Sequence, residues 1–267
     1  MKKLIISTIG TLFLCLGCGN KDSISQTVGV EFDSICVDTV APLVNSTNSP
    51  KCEVSLHLLY AKGENADKMN YTILRSGILT PDYLSLSNEK LSVKQSVDSF
   101  VNKYISDYMK EYGALYRDDK EHGASYDCTY KVRTRVFSNM ENTITYEASI
   151  STYGGGAHGI EQTIVKNYDV KKGKLLTLND IFVPGYEEKL LEAIIKKMAE
   201  QFDVKDIEEL KNKYIFSGGN PYITENMMIE DENITFIYCE DEIAPHALGE
   251  IRITIDKDDI EKILKNQ

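Results

Sequence analysis

The chain has 267 residues, of which 42% are hydrophobic, and it carries 30 Lys and Arg against 41 Asp and Glu. This composition excludes a disordered and a collagen-like chain, and no apolar run reaches the roughly 18 residues of a retained membrane-spanning helix. A net charge of −11 with no block of basic residues also argues against a nucleic-acid partner.

The first 17 residues have the pattern of an export signal. Lys2 and Lys3 precede a mostly apolar run that ends near Leu16, and Gly17 stands directly before Cys18. Glycine followed by cysteine resembles the bacterial lipobox, so we expect residues 1–17 to be removed, Cys18 to carry lipid and residues 18–27 to form a polar tether. The expected location is the cell envelope, as a lipid-anchored protein of the outer membrane on its periplasmic or surface face. Ordinary secretion is the alternative.

The next hundred residues predict a pair of strands and a long helix. Residues 28–40 and 52–60 alternate apolar and polar side chains, which indicates half-buried antiparallel strands. Apolar residues recur at three- and four-residue spacing from Glu89 to Tyr112, which indicates an amphipathic helix capped by Ser87 or Asn88 and ended by Gly113. The charged stretch that follows predicts a loop, and we expect an N-terminal domain over 28–115.

The rest of the chain predicts a C-terminal domain over 120–267. Predicted strands cover 126–137, 143–153, 160–170, 233–239 and 249–255, and predicted helical segments cover 178–182, 187–202, 208–214 and 257–264. Strands and helices come in blocks, which favours an α+β fold with antiparallel sheets, packed helices and two subdomains. One continuous domain with an exposed loop is the alternative.

Four cysteines remain in the predicted mature chain. They are Cys36, Cys52, Cys128 and Cys239. An even number in an oxidising compartment predicts disulfides. The pair Cys36 and Cys52 is favoured because these residues flank a turn-rich loop, which leaves Cys128 with Cys239; free buried thiols are the alternative. A zinc site is not expected because the chain lacks a Cys-x-x-Cys pair.

The glycine-rich run after the fourth predicted strand is the most unusual stretch. It contains the binding candidates Tyr153, Gly154, Gly155, Gly156 and His158. Consecutive glycines free the backbone to form a concave nest of N–H groups that binds an anion or a carboxylate. The alternative is a strand crossover in which the glycines allow close packing.

A second candidate is the acidic loop between the last two predicted strands. Its binding candidates are Tyr238, Glu240, Asp241, Glu242 and His246. These side chains suit a hard cation or a basic partner, and a merely solvated loop is the alternative. Established short catalytic motifs are missing from the sequence, so we predict no catalytic residue, no metal and no cofactor.

Three segments in order resemble a known family. They are 153–159, then 167–169 with 173–182, and finally 234–238 with Glu242-Ile243-Ala244-Pro245-His246-Ala247-Leu248-Gly249. Together they resemble the C-terminal extracellular domain of RsiV-type anti-sigma factors, which also accompanies PdaC-type peptidoglycan deacetylases, and residues 28–112 resemble the PdaC-type companion domain. His246 departs from the family, where an aromatic residue is common. Since Cys18 directly follows the signal, a transmembrane anti-sigma role is not expected.

The resemblance implies a non-catalytic module that recognises a lysozyme-like protein or a cell-wall glycan such as peptidoglycan. Loss of Lys2 and Lys3 with the signal would take the net charge from −11 to −13, which would steer a basic lysozyme toward the protein. A glycan would use exposed aromatics such as Tyr153, Tyr222 and Tyr238. The alternative is an envelope hydrolase or deacetylase in which His158 and His246 converge with nearby acids.

Overall fold

The computed structural model describes residues 29–64, 66–119 and 123–265. The predicted signal, Cys18 and the tether lie outside this range. The strands are β1 (Glu31–Pro42), β2 (Lys51–Lys62), β3 (Cys128–Met140), β4 (Thr143–Tyr153), β5 (Ile160–Asp169), β6 (Lys174–Leu175), β7 (Met227–Ile229), β8 (Asn233–Tyr238) and β9 (Ile251–Asp256). The helices are α1 (Ala66–Leu74), α2 (Val93–Asp118), α3 (Leu178–Ile181), α4 (Glu187–Gln201) and α5 (Ile207–Asn212), with 3-10 turns at Gly123–Tyr126, His246–Leu248 and Lys257–Ile263.

The first six strands form one sheet in the order β1-β2-β3-β4-β5-β6. Neighbouring strands are antiparallel except β2 and β3, which are parallel and are joined by a crossover through α1 and α2. Every second residue of β2 from Cys52 to Leu58 is buried, as the alternating pattern predicts. These side chains and their neighbours on β3 and β4 form the first core with α1 and α2.

Helix α2 begins and ends later than predicted. Ser92 caps its start, and the Gln95 side chain bonds back to the Ser92 backbone in a capping box. The helix also continues through Gly113 to Asp118. The predicted caps at Ser87 or Asn88 and the predicted end at Gly113 are therefore wrong, because the Ser-x-x-Gln pattern outweighs the earlier polar residues and a helix tolerates one glycine.

The remaining strands form a second, antiparallel sheet in the order β7-β8-β9. It packs with α3, α4 and α5 around a second core that includes Leu190, Ile194 and Phe236. The sheet meets β5 of the larger sheet through contacts between β5 and β7. The α+β class with antiparallel sheets and packed helices is thus confirmed, with β2–β3 as a parallel pair.

The buried side chains divide at a different point from the predicted domain boundary. Strands from both predicted domains, 28–115 and 120–267, share the six-stranded sheet. Core residues up to Leu175 belong to the first core, and those from Leu176 onward belong to the second. Met140 is the exception, because it packs against the second core. The final predicted helix is a 3-10 turn, and α1 and β7 were not predicted.

None of the helices within the described residues is long and apolar enough to cross a membrane.

The predicted disulfide pairings are wrong. Cys36 lies opposite His57 and Cys52 lies opposite Ala41, so five strand residues, roughly 17 Å, separate the positions of the first pair. Cys128 contacts Tyr104 of α2 in the first core, whereas Cys239 contacts the backbone of Thr163 on β5. Neither predicted pair is close enough for the Cα separation of a disulfide.

Candidate functional site

The glycine-rich crossover between β4 and β5 is built by close backbone packing. A side chain at Gly155, whose φ is +81°, would place its Cβ 1.8 Å from the Ser125 carbonyl oxygen, and a Cβ at Gly159 would lie 2.8 Å from the Thr152 oxygen. Only glycine fits such approaches. Gly154 and Gly156 have ordinary contact distances. The packing alternative therefore accounts for Gly155, and an anion-binding nest stays a prediction.

The crossover brings His158 against the acidic loop. The rings of His158 and His246 stack with centroids 5.0 Å apart and planes 21° from parallel. His246 Nδ1 lies 3.2 Å from Glu240 Oε1 and 3.4 Å from Asp241 Oδ2. Four candidates from two distant segments thus meet at one place.

Two of the three loop acids are used to hold the loop together. Glu240 Oε2 accepts a 2.7 Å hydrogen bond from the Glu161 backbone N–H, which ties the loop to the start of β5. Glu242 accepts hydrogen bonds from the Cys239 N–H at 2.7 Å and from the Tyr222 hydroxyl at 2.5 Å. Burial, and then the hydrogen bond to Glu242, raise the pKa of Tyr222. Glu242 is nevertheless exposed, so its role as one of three acids that face a partner stays a prediction.

Asp241 is more open to solvent than Glu240. Its backbone has a φ of 62°, and its side chain is 43% exposed against 12% for Glu240. Aspartate tolerates this left-handed conformation better than most residues. The loop therefore presents the Asp241 carboxylate outward, while Glu240 and the exposed Glu242 also hold the loop through hydrogen bonds.

Tyr238 belongs to the core and not to a binding surface. Its ring is fully buried and packs edge-on against Phe216 and Tyr222, and its hydroxyl donates to the Tyr222 carbonyl at 2.7 Å. Strand β8 is buried on both faces, since every residue from Ile234 to Tyr238 is buried. Tyr238 is thus a wrong binding candidate, and Tyr153 is half-buried at the end of β4.

Three partly exposed apolar or aromatic side chains lie on, or are bonded to, the segments that carry the histidine pair. Ile160 follows the crossover, Leu248 lies two residues after His246, and Tyr222 is bonded to Glu242. Each is about 40% exposed. We call this surface the loop face; it consists of His158, Ile160, Tyr222, Asp241, His246 and Leu248. Ile160 and Leu248 were not predicted, although an apolar residue in a polar loop is a signal for such a surface.

The stacked rings are poorly placed to share a ligand. Imidazole nitrogens bind in the plane of the ring, so two nearly parallel rings aim their lone pairs along separate planes. Within the part of the chain that the structure describes, no group of three or more His, Cys, Asp or Glu side chains is arranged to hold a metal ion. The arrangement suits hydrogen bonding and ring contacts with a partner.

Two comparisons with solved structures support the fold. A crystal structure of a member of the DUF3298 family from Bacteroides fragilis superimposes with a TM-score of 0.78 at 27% identity, covering 90% of this chain and 95% of that chain. A DUF3298 family protein from Pseudomonas aeruginosa superimposes with a TM-score of 0.58 at 16% identity, covering 88% and 94%. The second likeness concerns the fold alone.

No curated protein matched the chain. The resemblance to RsiV-type and PdaC-type domains stays a prediction. Among family models, the one described as "Protein of unknown function (DUF3298)" matches residues 179–258, which hold most of the second core, the acidic loop and His246.

Proposed function

We propose that the protein is a non-catalytic binding module of the cell envelope that captures a basic, lysozyme-like protein at the loop face. The observation that carries the proposal is the loop face itself, where an outward carboxylate and two imidazoles lie among partly exposed Ile160, Tyr222 and Leu248. Protein-binding surfaces combine such apolar and aromatic anchors with a polar rim.

Charge favours a protein ligand of positive charge. The whole chain has a net charge of −11, and long-range attraction of this kind raises the association rate of an oppositely charged partner. The supported carboxylate of Glu240 adds local negative charge beside Asp241. A neutral glycan would gain nothing from these charges and would depend on Tyr222.

Lipid anchorage at Cys18 is part of the proposal and is supported by the sequence alone. Acylation would hold the module at the membrane through lipid chains, with the predicted tether between lipid and fold. Mass spectrometry of the protein purified from its native membrane tests it: we expect an acylated N-terminal peptide that begins at Cys18. An unmodified N-terminus would leave ordinary secretion.

The binding test is calorimetric titration of the full chain in detergent with a basic C-type lysozyme at about 25 and 150 mM salt. We expect micromolar or tighter binding that weakens as salt rises. Asp241→Asn keeps a residue that tolerates the left-handed backbone and removes one outward charge, so we expect a Kd raised about three- to tenfold at low salt.

Glu208→Gln is the matched control because it also removes one exposed carboxylate, on α5. We expect no change in Kd for this variant. Equal effects of both substitutions would show that only overall charge matters. Absence of heat with lysozyme at both salt concentrations would overturn the protein ligand, and soluble peptidoglycan fragments in the same experiment would then test the glycan.

The second candidate is an envelope hydrolase or deacetylase, favoured by the convergence of His158 and His246 with Glu240 and Asp241. A general base needs a hydrogen-bond path to the group it deprotonates. Release of soluble sugar or acetate from peptidoglycan, lost on His158→Ala and on His246→Ala, would support it. An unchanged rate in both variants would assign any observed activity to a contaminant.

A further inference from the structure

Two thiols lie side by side where the two halves of the large sheet join. Cys52 is the second residue of β2 and Cys128 is the first residue of β3, and they are direct partners in the parallel register. Cys52 is fully buried and Cys128 is 7% exposed. Both belong to the first core beneath α2.

The backbone spacing suits a covalent bond. Neighbouring strands lie about 4.7–4.9 Å apart, within the 4.4–6.8 Å Cα separation typical of disulfides. Paired residues of adjacent strands also direct their side chains to the same face of the sheet. The Cys52–Cys128 pair is therefore close enough for the Cα separation of a disulfide, whereas the two pairings predicted from the sequence are not.

The surroundings make one thiol the better nucleophile. A hydrogen bond from Cys52 lowers the pKa of Cys128, to which the Tyr104 hydroxyl 3.4 Å away also contributes. The same partner and burial raise the pKa of Cys52. The thiolate is the attacking species, and Cys128 is both the more exposed thiol and the one beside the Tyr104 hydroxyl, which can stabilise a thiolate, so Cys128 is the thiol that would react first.

We propose that Cys52 and Cys128 are a redox pair, which a disulfide oxidant such as glutathione disulfide or an oxidised thiol oxidoreductase converts into a cross-link between β2 and β3. Cys128 loses its proton and attacks the oxidant, forming a mixed disulfide and releasing one thiolate. Cys52 loses its proton and attacks the Cys128 sulfur, which releases the second thiolate. The two electrons given up by the pair reduce the oxidant from a disulfide to two thiols.

The cross-link would join positions 76 residues apart and enclose α1 and α2. Closing a long loop restricts the unfolded chain, so the oxidised protein should melt at a temperature higher by roughly 10 °C than the reduced protein. This inference is independent of the proposed ligand, since it concerns the sheet and not the loop face.

The test refolds the full chain from urea in detergent with glutathione disulfide, so that burial cannot block access. Free thiols are then alkylated under denaturing conditions, and the protein is digested without reductant for mass spectrometry. We expect one linked peptide that contains Cys52 and Cys128. Alkylation of both residues after oxidation, or linkage of either to another cysteine, would overturn the proposal.

Thermal melting supplies a second readout. It remains informative for a destabilised variant, because each protein is compared with itself. In each protein the melting temperature is compared before and after reduction. The difference should disappear in Cys128→Ser and persist in Cys239→Ser, whose buried thiol contacts β5 instead. A difference that persists in Cys128→Ser would assign the stabilisation elsewhere and reject the pair.

Discussion

Glu147 is a buried carboxylate. Among its described contacts, Arg135 is the one charged partner. Its side chain is 5% exposed, and Arg135 Nε and Nη2 donate to its two oxygens at 2.7 and 2.8 Å. The two residues are direct partners across β3 and β4. This hydrogen bond is also the main reason that the pKa of Arg135 is raised.

Replacing Arg135 should therefore destabilise the protein more than its own exposure suggests. We expect Arg135→Ala to lower the free energy of unfolding by about 3 kcal/mol, because it leaves a buried charge unpaired, and Arg135→Lys to lower it by about half as much. Urea denaturation measures both. Arg133→Ala, on the same strand with an exposed side chain, should change stability little. Equal effects of Arg133→Ala and Arg135→Ala would reject the role of the pair.

At this scale the sequence predicted the residue types of the site better than their roles. Glu240, Asp241, His158 and His246 were expected at a site and do meet. The use of Glu242 to hold the loop depends on its hydrogen bond from the Tyr222 hydroxyl, and Tyr238 packs against Phe216 and Tyr222. These contacts cannot be predicted from the local sequence. Sequence spacing does not give such side-chain directions across a turn.

Short elements in this protein depend on their caps. The single turn α3 starts at Thr177, and Asp180 accepts hydrogen bonds from the Thr177 N–H and hydroxyl, both at 3.1 Å, and from Lys174. Burial acts to raise the pKa of Asp180, but these hydrogen bonds outweigh it and lower the pKa below its ordinary value of 3.8. The long helix α2 also begins with a capping box, which is formed by Ser92 and Gln95.

A carboxyl group whose pKa is lower in the folded than in the unfolded protein stabilises the fold at pH values above its unfolded pKa. This contribution is lost as the pH falls through the folded pKa. We expect Asp180→Asn to cost about 1 kcal/mol at pH 7 and progressively less below the ordinary carboxyl pKa of 3.8. Urea denaturation at pH 7, 4 and 3 measures the trend. Asp258→Asn, an exposed control, should cost little at any of these pH values. A cost for Asp180→Asn that stays constant with pH would contradict the charge-based role.

At the scale of the whole molecule, one amide joins the two sheets. Asn226 Oδ1 accepts from the Val165 N–H at 2.7 Å, and Nδ2 donates to the carbonyls of Thr163 at 2.7 Å and Ile237 at 3.2 Å. Asn167 on β5 adds a bond to the Met227 carbonyl. A side chain that serves both β5 and β8 couples the stability of the two cores.

We expect Asn226→Ala to lower the free energy of unfolding by about 2–3 kcal/mol, since it leaves buried backbone groups unpaired. Asn226→Asp should cost at least as much, because a carboxylate cannot donate to the two carbonyls. Denaturation followed by circular dichroism measures both losses. Asn102→Ala, on the exposed side of α2, is the neutral control. A stable Asn226→Asp protein would show that the donor contacts contribute nothing.

Fold class and most elements could be predicted because periodicity reports burial locally. The sharing of one sheet by both predicted domains could not, since it depends on β2 and β3 meeting across the intervening helices. Antiparallel hairpins carry a turn signal between their strands, whereas a parallel pair leaves no such signal.

The parallel pairing of β2 with β3 also bears on how the protein acquires its structure. The hairpins β1–β2 and β3–β4 can form from neighbouring residues, but the central pairing must wait until the distant ends of the crossover meet. Contacts of such large sequence separation slow folding, because chain entropy is lost before the contact is made. Until then each half exposes an unpaired strand edge at β2 and at β3, the place where a nascent chain is most open to pairing with the wrong neighbour.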